Sequence, residues 1–239
     1  MNNRRSYGKI CPMQHTYFIS GIDTSIGKTI ATGLMARYLA MRGVDVITVK
    51  LVQTGNDGFS EDIATHRDIC GHVHFPEDDD GLTAPQIFKF PSSPLLAAQL
   101  EGKTVDLNAM AEAVQACAAR HQVVLVESAG GLHVPLTEDT LTVEFAAKQH
   151  WPLILVTCGR LGAINHTLLS LEAAKTHGLD VAGVVHNGYP ATDPCLDADA
   201  VAATRRYLQK WGFPPTVIRL PVINSNEPYP DIDFSEIFA

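Results

Sequence analysis

Lys28 and Thr29 stand out first, because the residues before them, Ser20-Gly21-Ile22-Asp23-Thr24-Ser25-Ile26-Gly27, form a glycine-flanked stretch between two apolar runs. Tyr17-Phe18-Ile19 reads as a strand and Ile30 to Leu39 as an amphipathic helix, the setting a phosphate-binding loop needs. The first turn of a helix has unpaired N–H groups and about half a positive charge, so it favours an anion. Gly27 lets backbone approach closely, Lys28 adds a mobile cation, and the Thr29 hydroxyl suits Mg²⁺. Five residues separate Gly21 from Gly27-Lys28-Thr29, one more than the usual spacing.

Other chemistry-bearing groups follow apolar runs. Lys50 closes Val44 to Val49 and opens Leu51-Val52-Gln53-Thr54-Gly55, and Asp62 comes twelve residues after the lysine. A lysine there can neutralise charge on a transferring phosphoryl group. Glu127 terminates Gln122-Val123-Val124-Leu125-Val126 and opens Ser128-Ala129-Gly130-Gly131. A carboxylate at the end of a core strand, opposite a phosphate loop, can hold or orient Mg²⁺, and the glycine pair can offer N–H groups to an anion. Arg160 to His166 opens a further helix, a second anion-receptive terminus; His166 itself reads as a capping or interface residue. The Asn187 amide can hydrogen-bond a base.

These groups need a scaffold that brings strand ends together. Strand-like runs (44–49, 122–126, 152–156, 181–185 and 216–220) alternate with helical patterns near 30–39, 94–100, 106–120, 162–177 and 197–211. A short helix is expected at 61–70 and an edge strand at 86–90, with 53–60 loop-like and 72–84 an acidic, solvated loop. The continuous apolar strands suit a parallel sheet covered on both faces. Alternation of this kind predicts an α/β class: a doubly wound, mostly parallel sheet with helices on both faces and ligands beyond the carboxyl ends of the strands.

The 239 residues suit one α/β domain over 16–239 behind a flexible tail over 1–15. A net charge of −8 and the absence of Lys/Arg runs argue against nucleic acid or an anionic membrane surface as partner. Five scattered cysteines make no Cys-x-x-Cys pair, which points to a reducing compartment. Residues 1–15 lack an apolar signal core, and no apolar run approaches the roughly 20 residues that span a bilayer; a cytoplasmic location is expected.

In this order, 21–29, Lys50 to Gly55, Ser92-Ser93-Pro94, Glu127 to Gly131, Leu161 to His166, Asn187 and Leu220-Pro221 resemble the dethiobiotin synthetase family over about 16–223. The five-residue spacing in the phosphate loop is this family's own form. The resemblance implies a P-loop fold and an ATP-dependent ligase of biotin biosynthesis. Its substrates would be 7,8-diaminononanoate, CO₂ and ATP with Mg²⁺, and its products dethiobiotin, ADP and phosphate. It implies Ser25, Ile26, Gly27, Lys28, Thr29 and Ile30 around the phosphates, and Thr29, Asp62 and Glu127 on the metal. Lys50, with Lys28, would be catalytic; Thr24, Thr54, Gly130 and Gly131 would place the diamine or its carbamate. Ser128, Ala129 and Gly130 follow the metal carboxylate along the nucleotide, and Asn187, Gly188, Pro221, Val222 and Ile223 would hold adenine. The start of the helix at 162–165 is expected at a homodimer interface, beside the substrate's distal carboxylate.

The chain departs from the family pattern at Ile22, Leu51, Ser128 and Arg160, none of which removes a catalytic group. Two other readings share the fold. A ParA/MinD-type switch usually carries an extra lysine early in the loop, where this chain has Asp23-Thr24-Ser25. A related ATP-dependent amidoligase would keep the phosphate chemistry but need not keep Lys50 or the neighbourhood of Thr54.

Overall fold

The computed structural model describes residues 15–223 and 227–238. In chain order the elements are β1 (His15–Gly21), α1 (Lys28–Ala40), β2 (Val46–Lys50), β3 (Gln53–Thr54), α2 (Glu61–Ile69), α3 (Pro76–Asp79), β4 (Ile87–Phe88) and α4 (Pro94–Leu100). They continue with α5 (Leu107–Ala118), β5 (Val123–Gly131), α6 (Thr142–Lys148), β6 (Leu153–Cys158), α7 (Ala163–Thr176), β7 (Val181–Asn187), α8 (Pro194–Trp211) and β8 (Val217–Leu220). Six strands form one sheet in the order β2-β5-β1-β6-β7-β8, every pairing parallel. Strands β2 and β6 are buried along their whole length, as the continuous apolar runs predict for a sheet covered on both faces.

Register turns sequence distance into contact. Strand β5 lies between β1 and β2, so Glu127 is paired at once with Ile19 and Lys50. Lys50 and Glu127 are 77 residues apart but occupy matched positions on neighbouring strands. Glu127 lies inside β5 rather than at its end, since pairing runs on to Gly131 beside Gly21.

Short elements depart from the expected pattern. Gln53-Thr54 pairs with Ile87-Phe88 as a separate two-stranded parallel sheet, so the stretch after Lys50 is held and not loose. The acidic segment contains α3, and Glu77 within it is buried, which the charge pattern alone conceals. Helix α6 forms at 142–148, where the sequence pattern predicts no element. The tail expected at 1–15 lies outside the described residues except for His15, which begins β1.

Gly33 sits inside α1, where glycine costs about 1 kcal/mol relative to alanine. A Cβ there would come within 2.5 Å of Ile69 Cδ1 and 3.1 Å of its Cβ, so the glycine lets α2 pack closely on α1. That contact seats Asp62, on the first turn of α2, beside Thr29 on the first turn of α1. Residues 227–238 fold back on the same helix. Arg37 donates to the Tyr229 carbonyl and pairs with Asp231, while Phe234 and Phe238 pack against Tyr38. Among the described residues, no helix is long and apolar enough to cross a membrane.

Candidate active site

Helix starts separate structural from functional ends. Among the longer helices, α2, α5 and α8 are closed by the side chains of Ser60, Asp106 and Asp193. Helices α1 and α7 instead begin after glycines, Gly27 and Gly162, with no side-chain cap and no acid in the first turn. Their first turns have a partial positive charge and no side-chain partner for their N–H groups, although in α7 the Ala163 N–H is given to the Arg160 carbonyl at 3.0 Å. Gly27 has φ +95°, and a Cβ on it would stand 2.3 Å from Asn187 Nδ2. That amide donates to the Ile26 carbonyl at 2.9 Å, tying the loop to the end of β7. Lys28 is buried, and its Nζ donates to the Asp23 carbonyl at 3.1 Å. Its pKa is pushed down to about 8, chiefly by burial, which nearby Glu127 only partly offsets. Asp23 forms an ion pair with Arg160, clipping the loop to the segment before α7.

Beside the loop lies a buried cluster of opposite charges. Lys50 Nζ reaches Asp62 Oδ2 at 2.6 Å, Glu127 Oε1 at 2.8 Å and the Ser128 carbonyl at 3.1 Å. Burial pulls the lysine pKa down, but the Glu127 and Asp62 carboxylates outweigh it and hold the value above the usual lysine range. For Glu127 burial acts upward, yet Lys50 and the His66 hydrogen bond keep the carboxyl well below the usual carboxylate range. Thr29 Oγ1 stands 2.9 Å from Asp62 Oδ1 and 3.1 Å from Glu127 Oε1. Two carboxylates and a hydroxyl therefore converge beside an anion-receptive helix end. Among the described residues no group of three or more His, Cys, Asp or Glu is placed to hold a metal by itself. The oxygen set fits Mg²⁺, which commonly takes one or two carboxylates and fills its remaining positions with phosphate and water.

A cavity of about 880 Å³ opens over these groups. It is lined by Ser25, Ile26, Gly27, Lys28, Thr29 and Ile30 along the loop, and by Lys50, Asp62 and Glu127 at the charged cluster. Thr24, Thr54, Ala129, Gly130, Asn187 and Ile223 complete the expected residues in its walls. Gly131 faces a second depression of about 390 Å³, which shares Thr24 and Val134 with the first and extends to His166 and Ser170. Four other expected residues line neither depression. Ser128 is buried, its hydroxyl bonded to Ser20 Oγ at 3.0 Å, while its carbonyl supports Lys50. The Gly188 amide donates to the Leu220 carbonyl at 2.9 Å, and Pro221 and Val222 are exposed.

Several groups at the site carried no assigned role in the sequence. Pro91, Ser92, Ser93 and Pro94 form one wall, Val134 another, and Tyr189 stands near Asn187. His66, completely buried, lies 3.0 Å from Glu127 Oε2. Its four-residue offset from Asp62 places both on one face of α2, a signal readable once that helix is accepted.

A parallel sheet with an uncapped glycine–lysine–threonine helix start and a paired lysine and glutamate on adjacent strands defines a P-loop nucleotide-dependent protein. Two solved structures share that fold: a ParA family ATPase from Chlorobium tepidum TLS and chloroplast FtsY from Physcomitrella patens. The first has a TM-score of 0.52 at 14% identity, covering 88% of this chain and 86% of that one. The second has a TM-score of 0.53 at 16% identity, covering 100% of this chain and 67% of that one. At such identities the likeness concerns the fold alone. An AAA domain family matches residues 15–228. Curated relatives named ATP-dependent dethiobiotin synthetase BioD 2 are 44% identical in Pasteurella multocida and 46% in Haemophilus influenzae. The alignments cover 83% and 77% of this chain and 93% and 96% of those proteins. An ATP-dependent dethiobiotin synthetase BioD from Chlorobaculum tepidum is 43% identical over 87% of this chain and 85% of its own. The chain belongs to the ATP-dependent dethiobiotin synthetase family.

Proposed function

We propose that the chain joins 7,8-diaminononanoate and CO₂ at the expense of ATP, giving dethiobiotin, ADP and phosphate in the cytoplasm. The observation that carries this reading is the convergence of Lys50, Asp62, Glu127 and Thr29 beside an uncapped phosphate loop on the floor of one cavity. One substrate amine takes up CO₂ as a carbamate, losing a proton. A carbamate oxygen attacks the γ-phosphorus as the bond from that phosphorus to the ADP oxygen breaks. The second amine then attacks the carbonyl carbon; phosphate leaves and the cyclic urea closes.

Each step leans on position and charge more than on a base. The amides at the start of α1 and the Lys28 ammonium hold the phosphates. Thr29, Asp62 and Glu127 would hold Mg²⁺, which supplies charge neutralisation at the phosphates. Lys50 is kept protonated by two carboxylates, so it remains a cation while negative charge shifts onto the transferring group. Thr24, Thr54 and Gly130 in the cavity wall, with Gly131 in the adjoining depression, place the diamine. On the opposite side, Asn187 has an amide N–H beyond the one given to Ile26, and Ile223 offers apolar surface, which suits adenine with the 188 and 221–222 backbone alongside. A homodimer would bring the uncapped start of α7, flanked by exposed Leu161 and Leu169, against a second copy. That terminus would receive the substrate's distal carboxylate.

The test is ADP release with the diamine and bicarbonate supplied together and singly, with dethiobiotin followed by mass. Release should require both, and an ATPase indifferent to either compound would overturn the assignment.

A further inference from the structure

Glu127 is gripped on both oxygens, and the two grips come from different sides. Oε1 faces the site, 2.8 Å from Lys50 Nζ and 3.1 Å from Thr29 Oγ1. Oε2 faces inward, 3.0 Å from His66 Nε2. The other ring nitrogen of His66 lies 3.0 Å from Thr48 Oγ1, on the same strand as Lys50 and two residues before it. Arg67 Nη1 donates to that same Thr48 oxygen at 2.7 Å. Beyond it the guanidinium grips Asp78 through two bonds of 2.9 and 2.8 Å. Asp78 is fixed in turn by the Thr83 hydroxyl at 2.7 Å and the Phe75 amide at 3.2 Å.

The direction of this chain follows from what each group can do. A guanidinium only donates, so Arg67 occupies a lone pair of Thr48. The Thr48 proton is then free to point at His66 Nδ1, which accepts it. The ring proton consequently sits on Nε2 and is donated to Glu127. With the proton on Nδ1, Thr48 would accept from both neighbours, its own buried proton would have no acceptor among these contacts, and Glu127 Oε2 would face a bare nitrogen lone pair. That arrangement leaves buried polar groups unsatisfied, which folded proteins avoid.

We infer that His66 is a positioning residue for phosphoryl transfer: held as its Nε2–H tautomer by the Asp78–Arg67–Thr48 chain, it pins Glu127 Oε2. Only Oε1 is then turned toward Lys50, Thr29 and the metal ion that Glu127 and Thr29 would share. The acidic segment after α2, unremarkable in sequence, becomes the outer anchor of the site through Asp78. The inference rests on the metal-side role proposed for Glu127. Outer partners of metal-binding carboxylates commonly change metal affinity by about 10- to 100-fold when removed.

Two readouts avoid turnover. In the metal-free protein, long-range ¹H–¹⁵N spectra identify the ring nitrogens of His66 as the signals lost in His66→Leu. The wild type should show the Nε2–H pattern, and an Nδ1–H pattern would overturn the inference. In Thr48→Val, which keeps the volume but removes the hydroxyl, the tautomer should become mixed. The second readout is Mn²⁺ binding to the protein with ADP, by electron paramagnetic resonance, with no diamine or CO₂ present. His66→Leu should weaken Mn²⁺ at least about tenfold. His66→Gln, whose amide can donate to Glu127, should recover most of the loss. Because Thr48 acts through His66, the double variant His66→Leu/Thr48→Val should bind Mn²⁺ no worse than His66→Leu alone. Wild-type Mn²⁺ affinity in folded His66→Leu, no rescue by glutamine, or additive losses would each overturn the inference. Should His66→Leu fail to fold, wild-type tautomer and Mn²⁺ affinity in Thr48→Val would overturn it by themselves. Failure of the synthetase reading would show instead as absent dethiobiotin, with the tautomer and Mn²⁺ results unaffected.

Discussion

The two ends of the main cavity are built in different ways. At the phosphate end, charged side chains from β2, β5 and α2 interlock: Lys50 touches Asp62 and Glu127, and Thr29 touches both carboxylates. At the opposite end, contacts run mostly through backbone: Asn187 to the Ile26 carbonyl, Gly188 to the Leu220 carbonyl, Tyr189 N to Asn187 Oδ1. The first end is a preset electrostatic device whose members lose their partners one by one if any is removed. The second is a shaped wall in which one side chain, Asn187, ties two loops together. Side-chain chemistry and backbone shape therefore predict mutational effects of different kind and size.

Lys50→Ala tests the contrast most strongly. It leaves Asp62 and Glu127 without their shared cation and removes a charge needed as negative charge shifts in the transition state. The expected loss in kcat is at least about 10²-fold, with KM for ATP changed far less, measured as steady-state ADP release. Near-normal turnover would reduce the charged cluster to a structural feature. Glu127→Gln should come next: it keeps the shape but halves the carboxylate charge near Thr29. Half-saturating Mg²⁺ should rise at least about tenfold, and an unshifted magnesium titration would remove Glu127 from the metal site. At the opposite end, Asn187→Ala removes a neutral hydrogen bond to the loop, worth about 1 kcal/mol, so ADP should bind at least roughly fivefold more weakly by calorimetry with kcat nearly unchanged. A loss as large as that of Lys50→Ala would erase the distinction between the two ends.

The smallest effect is in pH. Lys28 has a pKa pushed down to about 8 in the free protein, and phosphates favour its protonated form. Nucleotide affinity should be level below that pH and fall as pH rises through it, by roughly twofold at the midpoint. Lys28→Arg should flatten the profile between pH 6.5 and 9, because the guanidinium stays protonated. The same falling limb in Lys28→Arg would assign the titration to another group.

Parts of this design were readable from local residues. The phosphate loop, the Lys50 strand end and the Asp106 cap follow from residue type beside apolar runs, and each stands in the structure where the pattern puts it. The Asn187 amide suits a base, yet its first partner here is the phosphate loop, a contact across 161 residues. Glu77 and Asp78 read as solvent-facing because their neighbours are acidic. Glu77 is instead buried and Asp78 half-buried, and they pair with Arg120, 43 residues from Glu77, and with Arg67. The aromatic closure of residues 234–238 on Tyr38 and Tyr17 lies beyond any local periodicity.

Alternating apolar runs determined that this chain is a parallel α/β protein, since burial on both faces leaves a continuous hydrophobic stretch at each strand. Glycine, lysine and threonine at a helix start likewise determined a phosphate site, because the helix end itself supplies the amides. Strand order and register were decided only in three dimensions, and with them the neighbours of Glu127. Setting β5 between β1 and β2 turns one carboxylate into a bridge with Lys50 on one side and His66 behind it. The physical reason is reach: local sequence governs hydrogen bonds a few residues apart. The partition of two oxygens on one buried side chain depends on atoms 61 and 77 residues away.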